Sequence, residues 1–347
     1  MSSSAPKRAR VTPPSQLDVL SDAAPSEDDL KQSVALARLL AEQGVGTDAR
    51  TSATGKAVLQ LLNSIALRFV RKVGLAHGLS TEQAEDAGGM LLPIGSYALL
   101  DTLMPGADID VLLLVPYFVE RAHFFDGGGL CGLLAECDEV SGLHAVPDAF
   151  VPVLKFVTRG VPIDLLLTRL KLPVISRASV TSEVNERLLH RCLDETDAHS
   201  LNGARVALGI LDLVPNRDSF RSTLRAVKLW VLRRGLGCFA MGYPGGVAWA
   251  ILTARVCQLY PNAAPSLLFS RFFSVWAQWK FGANAVPVFL NSNIEQSSGG
   301  SELPAYLAAA DWSSNNKRDR AYLMPVITPC RPRLCASHSV CRTPAAV

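Results

Sequence analysis

The chain has 347 residues, 49% of them hydrophobic, and a formal net charge of +3. That length suits two domains or one large one with a sizeable core. The charge is too mild to mark a nucleic-acid binder by itself, no apolar run is long enough to cross a membrane, and the polar N-terminus is not a secretory signal. Eight cysteines, scattered mostly through apolar runs, read as the reduced thiols of an intracellular protein.

Residues 1–26 are rich in Ser, Ala, Pro and charge and are expected to be disordered. Within them APKRARV, at 5–11, reads equally well as a nuclear import signal or a solvated tail. Residues 28–43 carry Leu30, Val34, Leu39 and Leu40 near helical spacing, so a helix is expected there, interrupted by Gly44, Gly46 and Thr47. A longer amphipathic helix is expected over 55–74, with Val58, Leu61, Leu62, Ile65, Ala66 and Phe69 as its apolar stripe. Ser80 is a fitting N-cap for a helix over 80–88, with Glu82 and Gln83 in its first turn.

The stretch 94–114, IGSYALLDTLMPGADIDVLLL, is where the chemistry gathers. Gly95 and Ser96 form a small flexible turn whose backbone N–H groups and hydroxyl suit a phosphate. Downstream, Asp108 and Asp110 stand two apart at the start of a strand, which points both carboxylates to one face. Two like charges that close repel unless a cation lies between them, and hard oxygen ligands suit Mg²⁺. The bland alternative is a strand end with two solvated aspartates.

A mixed segment follows, with glycines at 127–129 and a helix expected over 130–139. A hairpin is expected next, with strands over 150–158 and 161–168 joined by Arg159-Gly160. Asp164 lies on the face opposite Ile163, Leu165 and Leu167, where a carboxylate is costly unless paired or bound to a cation. It is the candidate third carboxylate. From about 173 to 281 the chain reads as helical. Over 218–234, Phe220, Leu224, Val227 and Val231 form one face, while Arg221, Arg225 and Lys228 form a basic ridge at i, i+4 and i+7. Such a ridge is usually a solvated face; it also suits a polyanion. Gly245-Gly246 enters a long apolar helix that carries Trp249.

These residues together resemble the eukaryotic nuclear poly(A) polymerase family, within the DNA polymerase β-like nucleotidyltransferase superfamily. Gly-Ser, a gap and Asp-Ile-Asp are the generic part. The specific part is a series of strings in family order: VTPP (11–14), AFVPVLKF (149–156), LNGARV (201–206), LVPNRDSFRSTLRAVKLW (213–230), GGVAWAILTARVCQLYPNA (245–263) and DRAYLMPVITP (319–329). The likeness is expected to run from about Val11 to Pro329.

The resemblance implies an α+β fold: a nucleotidyltransferase palm with a mixed sheet, joined to a helical central domain. The expected organisation is a disordered tail at 1–26, an N-terminal helix packing on the central domain at 27–54, the palm at 55–172, the central domain at 173–329 and a divergent basic tail at 330–347. It also implies adenylyl transfer from ATP to RNA 3′ ends. The 3′-hydroxyl attacks the α-phosphorus in line, with one Mg²⁺ (or Mn²⁺) lowering the hydroxyl pKa and another steadying pyrophosphate. Asp108, Asp110 and Asp164 would be the catalytic metal ligands. Gly95, Ser96, Asn202, Lys228, Gly246 and Val247 would bind ATP.

The partners implied are ATP, an RNA 3′ end and cleavage and polyadenylation factors, with no membrane, for a nuclear monomer. A uridylyltransferase and a non-catalytic binding fragment stay open as alternatives. The chain departs from the family in three places. GSYRLG here reads GSYALL, with Ala98 and Leu100. Tyr-Ser-Asn reads Gly237-Cys238-Phe239, which bears on ATP affinity and adenine selectivity. The family's RNA-binding domain is not found after Pro329, where Cys330, Cys335, His338 and Cys341 have the residue types of a zinc site but no common spacing.

Overall fold

The computed structural model describes residues 19–46, 49–176, 180, 186–291 and 303–340. The basic cluster at 5–11 and Cys341 lie outside them. A five-stranded mixed sheet forms the first half: β1 (Met90–Pro93), β2 (Ile109–Val115), β3 (Val140–Val146), β4 (Val153–Thr158) and β5 (Val161–Arg169), in spatial order β1-β2-β5-β4-β3. Only the central pair, β2 and β5, runs parallel. Both strands are apolar on both faces, as strands covered on each side must be.

One face is covered by α2 (Ala49–Ala76). Val58, Leu62, Ile65, Phe69 and Val70 of that helix pack on Ile109, Val111, Leu113, Ile163 and Leu165. The other face packs Leu112 and Leu114 against Ala198, Leu201 and Ala204. Between β1 and β2 stands a short helix, α4 (Gly95–Leu100), preceded in the chain by α3 (Thr81–Asp86). Two further short helices, α5 (Arg121–Phe125) and α6 (Leu130–Ala135), lead to β3.

The second half is helical: α7 (Glu195–Leu213), α8 (Arg217–Arg233), α9 (Gly246–Leu259) and α10 (Pro265–Gln278). The first turns of α7 pack on the sheet, whereas Val206, Ile210 and Leu211 enter a second core with Phe220, Leu224, Val227, Ile251 and Phe272. Leu99 and Leu100 of α4 belong to that second core as well. Two elements, α4 and α7, thus tie the sheet to the helical half.

At the N-terminus, α1 (Glu27–Glu42) is capped by Ser26 and lies on α10, where the Ser33 and Ser266 hydroxyls are 2.9 Å apart. Its buried contact is Leu40, with Val45 and Ala226; Leu30, Val34 and Leu39, expected as its apolar face, are exposed. Residues 19–26, expected to be disordered, run along the central helices, where Leu20 N–H donates to the Leu259 carbonyl.

Residues 330–340, expected to be part of a divergent basic tail, are folded in. The Ala336 N–H donates to the Val326 carbonyl, the Val326 N–H to the Ser337 hydroxyl and the Leu334 N–H to Thr328 Oγ1. Cys335 and Ser337 are buried. Pairing with Val326–Thr328 satisfies backbone groups that would otherwise be buried unpaired.

Candidate active site

The parallel register of β2 and β5 sets Asp110 directly beside Asp164, and Asp108 precedes β2 by one residue. One oxygen from each carboxylate lies within 4.8 Å of the others, the single such cluster among the described residues. Adjacent parallel strands bring same-face side chains close together, which is why two distant aspartates meet here. Burial pushes the Asp110 carboxyl up to about 7, and the charges of Asp108 and Asp164 push the same way. Lys155 and Lys228 pull it back. A carboxyl held that high among other carboxylates calls for more positive charge than the protein itself supplies. The donor set, all oxygen, fits a hard divalent cation, so the triad implies divalent metal use.

Two lysines flank the triad. Lys228, on α8, has its ammonium pushed down to about 8 by burial, against the opposing pull of Asp110 and Asp108. Lys155, on β4, sits opposite Asp164 in the antiparallel register and forms an ion pair with Asp164 Oδ2. Sequence reasoning missed Lys155. The hairpin signal could have found it, because closing the turn at Arg159-Gly160 places residue 155 across from residue 164.

Gly95 opens α4 with φ +60°, and a Cβ built there would lie 2.2 Å from Asp110 Oδ2. The glycine therefore lets the start of α4 touch the acidic cluster. The Gly-Ser pair, read as a flexible turn, is the first turn of this helix. The Ile94 N–H donates to the Asp110 carbonyl and fixes α4 to β2.

A cleft of about 550 Å³ opens beside the triad. Gly95, Asp110, Asn202 and Val247 line it, so four of the residues expected to form the site meet there. Trp312, Tyr322, Arg333 and His338 also line it, none of which was expected at the nucleotide site. Lys228 interacts with Asp110 and Asp108 but, like Ser96 and Gly246, is not part of this lining. Gly246 opens α9 and has open space where a Cβ would stand.

The wall carrying Asn202 is braced by charge. Asp197, fully buried on α7, accepts from Arg121 Nη2 at 3.0 Å, the Arg169 N–H at 3.0 Å and Arg169 Nη2 at 2.9 Å. Asp194 caps α7 through the Asp197 N–H and also pairs with both arginines. Asn202 Oδ1 accepts from Arg205 Nη1 at 3.4 Å.

The basic ridge of α8 is largely turned inward. Arg225 is 8% exposed, and Arg221 donates to the Leu99 carbonyl on α4. Among the tail arginines, Arg331 and Arg333 both pair with Asp311. Cys330 Sγ lies 3.2 Å from the Arg205 carbonyl and Cys335 Sγ lies 3.5 Å from the Ser337 hydroxyl; the described cysteines and His338 do not gather into a metal cluster.

The family model described as "Poly(A) polymerase nucleotidyltransferase domain" matches residues 11–214, and "Poly(A) polymerase central domain" matches 219–347. The second match carries the likeness past Pro329 to the end of the chain and overturns the expectation that it stops there. Nuclear poly(A) polymerase 4 of Arabidopsis thaliana is 41% identical over 96% of this chain and 42% of its own length. Poly(A) polymerase pla1 of Schizosaccharomyces pombe is 38% identical over 96% of this chain and 55% of its own. The chain thus spans about half the length of the curated relatives it matches. Among solved structures, the Cid1 poly(U) polymerase aligns with a TM-score of 0.54 at 11% identity, covering 90% of this chain and 88% of that one. A cytoplasmic RNA terminal U-transferase aligns at 0.52 and 12% identity, covering 91% and 88%. At that identity the likeness is one of fold.

Proposed function

The chain belongs to the poly(A) polymerase family, and from that premise we propose that it adds AMP from ATP to RNA 3′ ends without a template. The observation that carries this reading is the Asp108–Asp110–Asp164 cluster at the mouth of a nucleotide-sized cleft. When bound, Mg²⁺ or Mn²⁺ would lower the pKa of the attacking 3′-hydroxyl and neutralise charge on the leaving pyrophosphate.

The protein's own groups do the rest. Asp108, Asp110 and Asp164 would hold the metal, with Asp164 on the side of the attacking hydroxyl. Gly95, which has no Cβ to crowd Asp110, and Ser96 offer donors to the triphosphate. Lys228, already close in charge to the aspartates, gives its ammonium to a phosphate oxygen. Asn202, its amide oxygen taken by Arg205, turns its N–H₂ group to the ribose. Val247 and the neighbouring Gly246 give the base a flat apolar edge. The nucleus, cleavage and polyadenylation factors as partners, and a monomeric state come with the family reading. The relatives named nuclear support the first of these.

The test is primer extension with purified protein, a labelled RNA, Mg²⁺ or Mn²⁺ and each nucleoside triphosphate separately. Extension by ATP alone is expected, and D108A, D110A and D164A should each abolish it. Extension by UTP instead would make the chain a uridylyltransferase. No extension with intact triphosphate binding would leave a binding protein.

A further inference from the structure

Arg221 lies outside the aspartate cluster and the cleft, yet its contacts reach the helix that begins at Gly95. Its Nε donates to the Leu99 carbonyl at 3.3 Å and its Nη1 stands 3.9 Å from Asp101 Oδ2. The side chain is 24% exposed. Leu99 is in the last turn of α4, where carbonyls have no donor within the helix. Asp101 closes that helix in the left-handed conformation, φ 56°. Arg221 therefore holds the end of α4 by a main-chain carbonyl and by the residue that terminates it.

Arg225 lies one turn further along α8, and both arginines line a pocket of about 370 Å³ with Leu100, Asp101, Asp218 and Ser222. Lys228 is seven residues beyond Arg221, nearly two full turns, and so falls on the same stripe of α8. One helix thus touches both ends of one arrangement: Lys228 faces Asp110 and Asp108, while Arg221 grips the far end of the short helix whose first residue abuts Asp110.

We propose that Arg221 is a positioning residue that locks α4 to α8, keeping Gly95 and Ser96 in register with Lys228 across the aspartates. The inference rests on the nucleotidyl-transfer reading of the cleft. Without the lock, the C-terminal end of α4 loses a hold and the helix can tilt about its Ile94–Asp110 attachment, turning Gly95 and Ser96 while β2 and β5 still hold the three carboxylates. Triphosphate binding should then suffer far more than turnover. Lysine at 221 can donate to the Leu99 carbonyl but lacks the planar fork that also reaches Asp101, so it should restore part of the loss.

The experiment compares R221A, R221K and D101N with the parent full chain, by primer extension over a range of ATP and by equilibrium binding of a fluorescent ATP analogue. Thermal unfolding is followed alongside. For R221A, KM and Kd for the nucleotide should rise about tenfold with kcat within about threefold, a cost near 1.4 kcal/mol. R221K should recover more than half of that on a logarithmic scale, and D101N should shift Kd in the same direction by less. Unchanged KM and Kd in R221A overturns the proposal, as does a fall in kcat alone. If R221A does not fold, R221K and D101N decide: both matching the parent overturns it. A parent that transfers no nucleotide sinks the reaction reading while leaving the binding arm in force. A parent that binds no triphosphate sinks both.

Discussion

Gly95 holds a place that suits glycine on two counts. Its φ of +60° is in the left-handed region, and the atom that alanine would add falls 2.2 Å from Asp110 Oδ2. Strain and collision act together, so G95A is expected to lose activity by at least about 100-fold while folding stability falls by only about 1–2 kcal/mol. Primer extension against a thermal melt separates the two. The neighbouring Asp110 gives a prediction with a sign. Its carboxyl is raised from 3.8 to about 7, first by burial and then by Asp108 and Asp164. Between those values the folded state keeps a proton that the unfolded chain has released. Stability therefore falls as pH rises through that window, and the full cost stands above it. In metal-free buffer D110N should be more stable than the parent at pH 8, by about 1–3 kcal/mol, and equal to it at pH 4. Added Mg²⁺ should narrow the gap at pH 8 by stabilising the parent. Equal melts of the two proteins at pH 8 without metal would refute the raised carboxyl.

At the scale of elements, the brace on α7 is the one to test. Asp197 has no exposed surface, and Arg169 reaches it through both backbone and guanidinium. Removing one partner of a buried ion pair leaves charge uncompensated, so R169M should cost about 2–4 kcal/mol, moderated by the surviving Arg121 contact. Urea denaturation checks it. A loss below about 0.5 kcal/mol would mean that Arg121 and the main-chain N–H of residue 169 together satisfy Asp197.

Several elements were legible beforehand because their signals are local. Arg159 and Gly160 both have positive φ, the pair that a tight hairpin turn demands, and Ser80 caps the helix that follows it. What was not legible depends on distant neighbours. The edge strand β3 carries a register irregularity between Ser141 and His144, which breaks the alternation that marks a strand. The arginine stripe of α8 has the spacing of a solvated face, and only α4 lying across it makes it an interior one. For the site, residue type and strand pairing marked the three aspartates. Lys155 was within reach of the hairpin register, whereas the far wall of the cleft needed the fold.

For the molecule as a whole, the question is what residues 303–340 do. They approach the sheet and the central helices together. Leu303 and Leu307 pack with Leu112 and Leu114, Val326 joins the central core, and the Arg205 guanidinium donates to the Arg331 carbonyl at 2.6 Å. Within the segment, the Trp312 N–H donates to the Arg333 carbonyl and Asp311 accepts from the Arg333 N–H. Cys335 packs with Ile327 and Trp312, and Arg333 and His338 face the cleft. Cutting the chain after Pro329 would remove the partners of Val326, Thr328 and Trp312 in one step, leaving several buried main-chain groups unpaired at about 1–3 kcal/mol each. The shortened chain is therefore expected to melt at least about 10 °C below the parent, from a loss of several kcal/mol. It should also show a raised KM for ATP, since one wall of the nucleotide cleft goes with the cut. The two effects have different sources and can be told apart. S337A leaves the lining side chains in place and removes only the bonds of the Ser337 hydroxyl with Val326 and Met324, so it should lower the melt by a few degrees with little change in KM. A truncated chain that melts with the parent and keeps its KM would show that residues beyond Pro329 are an appendage after all.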